Sequence, residues 1–314
     1  MRTAAWLLVA VLSGAGGFAH AGARPAWAVD GQTARVAVQE EAGDVAQMPV
    51  TWFVPPGPGP FPVVVFSHGR DPSAAGRAKL SLGINRIQVW FWLARGIAVV
   101  SPLRPGYGQG DSGDVENTAV HFDPSGHCVG HADFRKTADA AVRSLDATLR
   151  WLRNQPWADA RQVLLVGQSA GGLATVAAGA QRLPGVVGYV NFAGGVGGNP
   201  ERSAGASCDP EQLETLFEAY GRSTTVPNLW VYALNDQYWG MAAPRAWHAA
   251  FARGGSPTTF VQAPAVPDGD GHGLSRHAPE LWAPTVDAFL ARLGEPWNAA
   301  TQSRPVLRLD LGGP

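Results

Sequence analysis

Short apolar runs alternate with amphipathic stretches along the chain. The run PVVVFS at residues 62–67 is almost continuously apolar, which is typical of a strand buried on both faces of a sheet. Residues 133–154 instead carry apolar side chains at spacings of three and four, which predicts a helix with one buried face. Similar patterns predict strands at 49–54, 97–101, 163–166, 186–192, 229–234 and 259–262, helices at 79–95, 211–220, 244–253 and 279–293, and an alanine-rich helix soon after 163–166.

This alternation predicts an α/β protein with a mainly parallel central sheet and helices on both faces. We expect residues 29–314 to form one domain, because α/β folds of roughly 250 residues commonly build one body around one sheet. The irregular segment 194–227 is expected to form a small cap. Ligands of such sheets bind outside the carboxyl ends of the strands, so the residues that follow each strand are the candidates for chemistry.

The first 28 residues have the order of an export signal. Arg2 precedes an apolar run at residues 4–12, and small residues follow with cleavage patterns that end at Ala21 and Ala28. An ordinary amino-terminal helix is the alternative, but it does not require this order. The apolar run is too short to span a bilayer, which takes about 20 residues. We therefore expect a secreted or periplasmic protein with no stable membrane insertion after signal removal.

The net charge of the chain mainly excludes some classes of partner. The chain has 24 Lys and Arg against 25 Asp and Glu, which gives a net charge of -1. This balance argues against nucleic acid as a partner and against a polybasic membrane-surface protein. A hydrophobic fraction of 46% also argues against disorder as the main state.

The chain contains two cysteines, Cys128 and Cys208. An even number of cysteines in an exported protein favours a disulfide, which here would link two otherwise irregular segments. Two separately buried thiols are the alternative.

The strongest candidate for chemistry follows the predicted strand at 163–166. The sequence Gly167-Gln168-Ser169-Ala170-Gly171-Gly172 places a serine between small residues at a strand-to-helix turn. Such a sharp turn exposes the serine hydroxyl, and its neighbours must be small for strand and helix to approach. A plain glycine-rich connection and a dinucleotide-binding loop are the alternatives, but a dinucleotide loop needs glycine where Ser169 stands.

A serine nucleophile needs a base, and the base needs an orienting acid. Three histidines follow Ser169. His248 lies in a predicted amphipathic helix, where packing is the expected role. His272 lies in the loop DGDGHGL after the strand at 259–262 and is the preferred base, with His277, at the start of the last predicted helix, as the reserve.

The acid is expected directly after the strand at 229–234, where Asp236 lies in the sequence LNDQYWG. A helix N-cap is the alternative role for this residue. Asp268 and Asp270 are too close to His272 in sequence to be preferred. Their DGDG sequence resembles part of a calcium loop, but the distal glutamate is missing.

Residues Ser67-His68-Gly69-Arg70-Asp71 follow the strand at 62–67. We predict that the N–H groups of Ala170 and Arg70 form an oxyanion hole, and that His68 fixes the loop without acting as the base. The Arg70 guanidinium could meet an acidic substrate group, or pair with Asp71 or another carboxylate.

Two further clusters contain residue types suited to other chemistry. Residues 121–131 include metal-ligand types but lack the spacing of a zinc site. No glutamate follows His127, and Gly126 and Gly130 disfavour the helix on which His127 and His131 would share a face. We therefore expect no metal and no cofactor. Tyr238 and Trp239 are candidates for a substrate pocket, whereas core packing is expected for the aromatic residues Trp90, Phe91 and Trp92.

Residues 45–293 resemble the α/β-hydrolase superfamily, in particular its dienelactone-hydrolase-like and secreted esterase or peptidase branches. The resemblance rests on the HG sequence, RPGYG with GDSG at residues 104–113, GQSAGG, LNDQYWG and DGHG. It implies a triad of Ser169, Asp236 and His272 with oxyanion donors at Ala170 and Arg70. Dienelactone hydrolases use a cysteine nucleophile, so serine here favours plain ester hydrolysis.

The expected function is therefore hydrolysis of a small-molecule carboxylic ester through an acyl-enzyme. An exported serine peptidase with the same triad is one alternative, and a catalytically silent α/β-hydrolase scaffold that binds a ligand or partner is another. The complete set of three residues argues against the silent scaffold.

Overall fold

The computed structural model describes residues 31–108 and 112–302. The predicted export signal, residues 1–28, lies outside the described residues, as do Gly110 and Asp111 of the GDSG sequence.

An eight-stranded sheet organises this part of the chain. Its strands are β1 Gln32–Gln39, β2 Val45–Phe53, β3 Phe61–Ser67, β4 Ala98–Pro102, β7 Ala158–Gln168, β8 Val186–Phe192, β11 Asn228–Ala233 and β12 Thr258–Ala263. Their order across the sheet is β1-β2-β4-β3-β7-β8-β11-β12. The last six strands in this order run parallel to one another, and β1 and β2 form an antiparallel extension that joins β4.

Two small hairpins lie outside the central sheet. Val120–Phe122 (β5) pairs with Cys128–Gly130 (β6), and Gly198–Asn199 (β9) pairs with Ser203–Ser207 (β10). The helices are α1 Ala74–Lys79, α2 Arg86–Leu93, α3 Phe134–Leu152, α4 Ala170–Ala180, α5 Pro210–Ser223, α6 Ala242–Arg253, α7 Leu274–His277, α8 Pro279–Arg292 and α9 Trp297–Gln302, and Gly271–Gly273 forms a 3-10 turn before α7.

Both faces of the central sheet are covered, as the continuous apolar runs predict. Within β3, Val63 and Val65 belong to one buried cluster, whereas Val64 and Phe66 belong to a second cluster on the opposite face. The first cluster includes residues of α3, α4, α5 and α6, and the second includes residues of α2, α8 and α9. The predicted α/β architecture is confirmed.

The amphipathic segment at 133–154 forms α3, and Asp133 caps this helix by accepting a hydrogen bond from the Lys136 N–H. Its apolar stripe is buried against the sheet, with Phe134, Leu145 and Leu152 fully covered. The prediction from residue spacing is therefore confirmed to within two residues at each end.

Other predicted elements need correction. The segment 79–95 is not one helix, because Asn85 and Gln88 form a capping box that begins α2, while α1 ends at Lys79. Strand β2 begins at Val45 instead of 49, and the edge strand β1 before it was not predicted. Helix α9 follows α8, so the helix at 279–293 is not the last one.

The segment 194–227, for which a small cap is expected, is not irregular throughout. Residues 210–223 form α5, whose side chains Leu213, Leu216 and Phe217 are buried in the core on one face of the sheet. The part of the segment that borders the site described below is residues 195–201.

A disulfide joins Cys128 to Cys208, as the sequence predicts. Cys128 begins β6, and Cys208 directly follows β10, so the bond connects the two hairpins. Among the residues that the structure describes, no helix is both long and apolar enough to cross a membrane.

Candidate active site

Ser169 lies in a strained turn between β7 and α4. Its backbone has φ 58° and ψ -126°, in a region that residues other than glycine rarely occupy. The neighbouring glycines make this turn sterically allowed, because a Cβ at Gly171 would collide with the Ser67 carbonyl oxygen and one at Gly167 with the Gly171 carbonyl oxygen. The Ser169 N–H donates to the Phe192 carbonyl at 3.0 Å, which fixes the turn against β8.

His272 lies beside Asp236, with its Nδ1 3.1 Å from Oδ2 of the carboxylate. Both side chains are buried, at 8% and 0% exposure. The other carboxylate oxygen, Oδ1, accepts the N–H groups of Tyr238 at 2.8 Å and Trp239 at 3.1 Å. Asp236 is therefore fixed by its own turn, and it does not cap α6, which begins only at Ala242.

The loop that carries His272 is tied to the loop that carries Asp236. Asp270 Oδ1 accepts the N–H of His272 at 2.8 Å and the N–H of Gln237 at 2.9 Å. The Asn235 side chain accepts the Val266 N–H at 2.9 Å and donates to the Gly269 carbonyl, also at 2.9 Å. Asp270 thus has a defined role in the loop, as an anchor for the backbone of His272.

Ser169 and His272 are brought to one place by the residue before the serine. Gln168 Nε2 donates to the His272 carbonyl at 2.9 Å. Tyr238, which stacks on the His272 ring with centroids 4.0 Å apart, lines the same cavity as Ser169. Within the described chain no hydrogen bond joins the Ser169 hydroxyl to His272, and such contacts are often long in sites without substrate.

The other two histidines that follow Ser169 lie elsewhere. His277 is exposed at the end of α7, and not at the start of the long helix α8 as the sequence suggested. His248 lies in α6 against Trp230 and Phe260, and partial burial lowers its pKa to about 4.

The loop after β3 abuts the serine. A Cβ at Gly69 would lie 3.3 Å from the Ser169 Cβ, so this loop and the start of α4 approach closely. In the described part of the chain the N–H groups of Arg70 and Ala170 have no hydrogen-bond acceptor. Two donors of this kind beside a serine are available to a developing oxyanion.

The Arg70 side chain pairs with Asp114, and not with Asp71. Its two terminal nitrogens lie 2.6 and 2.7 Å from the two carboxylate oxygens. Asp71 instead accepts the N–H and hydroxyl of Ser73, each at 2.8 Å. Because this bidentate pair occupies the guanidinium, we do not assign it to an acidic substrate group.

A cavity of about 550 Å³ opens in front of Ser169. Arg70, Ala170, Tyr238 and Trp239 line it near the serine. Its outer wall comes from β5 and from residues 195–201, and the disulfide links β6, the partner strand of β5, to the residue after β10. Trp239 is itself buried, with its Nε1 donating to the Ala193 carbonyl at 2.7 Å, so it forms the floor under the glycines at 195 and 198.

The residues around His127 and the aromatic group at 90–92 are part of the scaffold. Residues 120–130 form the β5–β6 hairpin and no helix, so His127 and His131 do not share a helix face. Asp123 closes the hairpin turn by accepting the N–H groups of Ser125 and His127. Phe91 and Trp92 are buried in the core, as expected from their sequence setting.

No family model matches the chain, and no curated protein matches it either. Solved structures do. An esterase of Pyrococcus furiosus superposes with a TM-score of 0.55 at 14% identity, and the match covers 85% of this chain and 91% of that chain. An acylaminoacyl peptidase of Pyrococcus horikoshii superposes with a TM-score of 0.57 at 16% identity, over 84% of this chain and 42% of that one. A puromycin-hydrolysing peptidase of Mycobacterium tuberculosis gives 0.53 at 18% identity, over 86% and 40%.

The chain has the α/β-hydrolase fold. In an α/β-hydrolase fold, the groups assembled at the carboxyl ends of the strands come from separate crossovers. Here Ser169 follows β7, Asp236 follows β11 and His272 follows β12, while Arg70 follows β3. The resemblance seen in the sequence therefore holds at the level of the fold.

Several residues that shape this candidate site were not identified from the sequence. Gln168 and Asn235 position the serine and histidine loops through side-chain contacts with distant backbone. The position of Gln168 within the GQSAGG sequence was the available signal for it. Asp114 and Glu116 follow a loop without strand or helix periodicity, so no local pattern distinguishes them from surface carboxylates.

Proposed function

We propose that this protein is an exported serine hydrolase that cleaves carboxylic esters through an acyl-enzyme. Ser169 is the nucleophile, His272 the general base and Asp236 the orienting acid. The N–H groups of Ala170 and Arg70 stabilise the oxyanion. The substrate is a small-molecule ester, and the mechanism needs no cofactor.

One observation carries this proposal: the strained turn at Ser169 is joined through Gln168 to the loop of a buried histidine that is paired with a buried aspartate. The Asp236 carboxylate accepts the Nδ1 proton of His272, which leaves Nε2 free to accept the proton of the serine hydroxyl. A simple connection between a strand and a helix does not require a serine with positive φ, so the strain supports a functional role for Ser169.

The chemical steps follow from this arrangement. The Ser169 Oγ attacks the ester carbonyl carbon as its proton moves to His272, and the carbonyl oxygen becomes an oxyanion between the two N–H groups. When the oxyanion collapses, the bond to the leaving oxygen breaks, and His272 gives its proton to the departing alcohol. Water then repeats the sequence on the acyl-serine, and the acid is released.

Amide hydrolysis by an exported peptidase is the second candidate, because two of the similar structures bear peptidase names. Those proteins are much longer, and the match covers only 40 to 42% of their chains. The Pyrococcus furiosus esterase is covered over 91% of its length. This difference in chain length supports the ester as the substrate.

Export is supported by the order of charge, apolar run and small residues in the first 28 positions. The disulfide between Cys128 and Cys208 supports it independently, since such bonds persist mainly in oxidising compartments.

The test is a panel of short acyl esters and aminoacyl amides assayed with the wild type and with Ser169→Ala. We expect ester turnover that Ser169→Ala abolishes, with amides cleaved much more slowly. Faster amide cleavage would favour the peptidase. Turnover that is absent from the wild type across the panel would contradict the proposal of a hydrolase.

A further inference from the structure

Arg104 is a charged side chain near the site with no exposed surface. It follows β4 and lies behind the loop that contains Gly69 and Arg70. One terminal nitrogen donates to the His68 carbonyl at 2.6 Å and to the Ser67 hydroxyl at 3.0 Å. The other lies 3.4 Å from the Gly69 carbonyl. A single guanidinium thus holds three successive residues of the loop that approaches Ser169.

The Gly69 carbonyl has a second donor. His68 Nδ1 lies 2.7 Å from it, and because a carbonyl oxygen only accepts, the proton must be on Nδ1. His68 Nε2 accepts the backbone N–H of Arg104 at 3.3 Å. Burial and the neighbouring Arg104 charge lower the pKa of His68 well below its usual value, in keeping with this neutral form.

These contacts fix one peptide plane. The Gly69 carbonyl and the Arg70 N–H belong to the same planar trans unit, so they point in opposite directions. With the carbonyl held by Arg104 and His68 on the inner side, the Arg70 N–H is directed away from them, on the side where the loop meets Ser169.

Glu116 holds the guanidinium in turn. Its two oxygens pair with Arg104, one of them at 3.0 Å from Nη2, and it also accepts the Tyr107 hydroxyl at 3.2 Å. A fully buried ion pair gives little net stability compared with apolar packing, because both charges lose their hydration. Its value here is geometric, since the planar fork of arginine spreads its donors in fixed directions.

We propose that Arg104 is a positioning residue for the oxyanion hole: with Glu116 as its anchor, it aims the Arg70 N–H at the carbonyl oxygen of the substrate. The inference rests on the proposed function. Arg104 itself touches no reacting atom, so its contribution is to be seen in the transition state and not in substrate affinity.

The experiment compares an ester with its thionoester, in which sulfur replaces the carbonyl oxygen. Sulfur is a weak hydrogen-bond acceptor, so a working oxyanion hole favours the oxygen ester. In Arg104→Lys, which keeps the charge but loses the planar fork, we expect kcat for the oxygen ester to fall about 10- to 100-fold with KM changed less than about threefold. The ratio of oxygen-ester to thionoester rates should fall by about the same factor as kcat.

Arg95→Lys is the matched control. Arg95 and Asp287 form a second bidentate pair, at 2.7 and 2.9 Å, whose side chains are largely buried between the end of α2 and α8. Arg95 precedes the amino end of β4. This variant should show a comparable loss of stability with an unchanged rate ratio. Rates are normalised to the concentration of active sites titrated with a phosphonate, so that unfolded protein is not counted as enzyme.

Tyr107→Phe serves if Arg104→Lys does not fold, because it removes one bond to Glu116 without leaving a buried charge unpaired. We expect its rate ratio to fall about two- to fivefold. A ratio equal to the wild type in every folded variant would overturn the role of Arg104. Loss of the proposed function itself has a different signature, because the wild type would then turn over neither ester.

Discussion

The inner face of the cavity and its outer wall are built in different ways. Ser169 lines the inner face; it, His272 and Asp236 each follow a strand of the central sheet, and buried hydrogen bonds link their loops. The outer wall consists of β5 and residues 195–201, and β5 pairs with β6 in a hairpin outside the central sheet. Strand β6 is exposed along its whole length, and a disulfide connects this hairpin to Cys208.

This difference separates two physical tasks. Groups that must meet a transition state are held by the sheet, whose strand ends cannot move independently of the core. The exposed strand β6 buries little apolar surface, and a covalent bond supplies the restraint that packing does not. Changes on the inner face should therefore act on kcat, and changes in the outer wall should act on KM and on stability.

The largest effect is expected from Ser169→Ala. Because every covalent step passes through this hydroxyl, ester turnover should fall about 10⁴- to 10⁶-fold, and labelling by an active-site phosphonate should disappear. Circular dichroism and thermal unfolding should remain close to the wild type. Labelling that persists in the variant would contradict the assignment of the nucleophile.

Loss of the acid tests the inner face next. Asp236→Asn should lower kcat about 10⁴-fold with a smaller change in KM, because the imidazole loses the partner that fixes its tautomer and stabilises its charge. His272→Ala should be at least as damaging. The control is His277→Ala, which should retain activity within about twofold. An inactive His277→Ala beside an active His272→Ala would mean that the base lies five residues further along.

Removing the disulfide tests the outer wall. The bond closes a loop with a sequence separation of 80, so Cys128→Ser with Cys208→Ser should lower the free energy of unfolding by about 4 kcal/mol. KM should rise severalfold, while kcat per titrated site should change little. Kinetics below the melting temperature and urea unfolding measure the two effects. A large fall in kcat with unchanged KM would reverse the proposed division between the two regions.

The native bond can be checked directly in the wild type. The intact mass of non-reduced protein should lie two hydrogens below that of the dithiol, and alkylation of the unfolded protein without reductant should find no thiol.

The smallest expected effect concerns the pH dependence of stability. His68 is buried and its pKa is lowered, so below about pH 6.5 the unfolded chain takes up a proton there that the folded protein does not. The free energy of unfolding should therefore fall on acidification, by up to about 1.4 kcal/mol per pH unit from this residue. His68→Asn should reduce that slope. Equal slopes in His68→Asn and the wild type would contradict a neutral buried imidazole.

Much of the sheet could be predicted because its signals are local. Continuous apolar runs marked β3, β8 and β11, and spacing marked α3, since burial on two faces and burial on one stripe leave different periods. Strand β1 escaped because only Val36 and Val38 of its eight residues are buried, so its pairing with β2 defines it more than its own sequence does. The break between α1 and α2 contains Gly83 and ends at the capping box of Asn85, and the apolar spacing across 79–95 concealed both signals.

The sequence by itself determined which residues stand at the ends of strands, and so singled out Ser169, Asp236 and His272 for chemistry. Turn and strand patterns extend over a few residues: Ser169 directly follows β7, Asp236 lies three residues after β11, and His272 lies in the loop that follows β12. Only the tertiary structure decided which side chains hold them in place. Arg104 is 36 residues from His68, Arg70 is 44 from Asp114, and Gln168 is 104 from His272. No period or motif encodes contacts over such separations, because they arise when crossovers bring separate strand ends to one edge of the sheet.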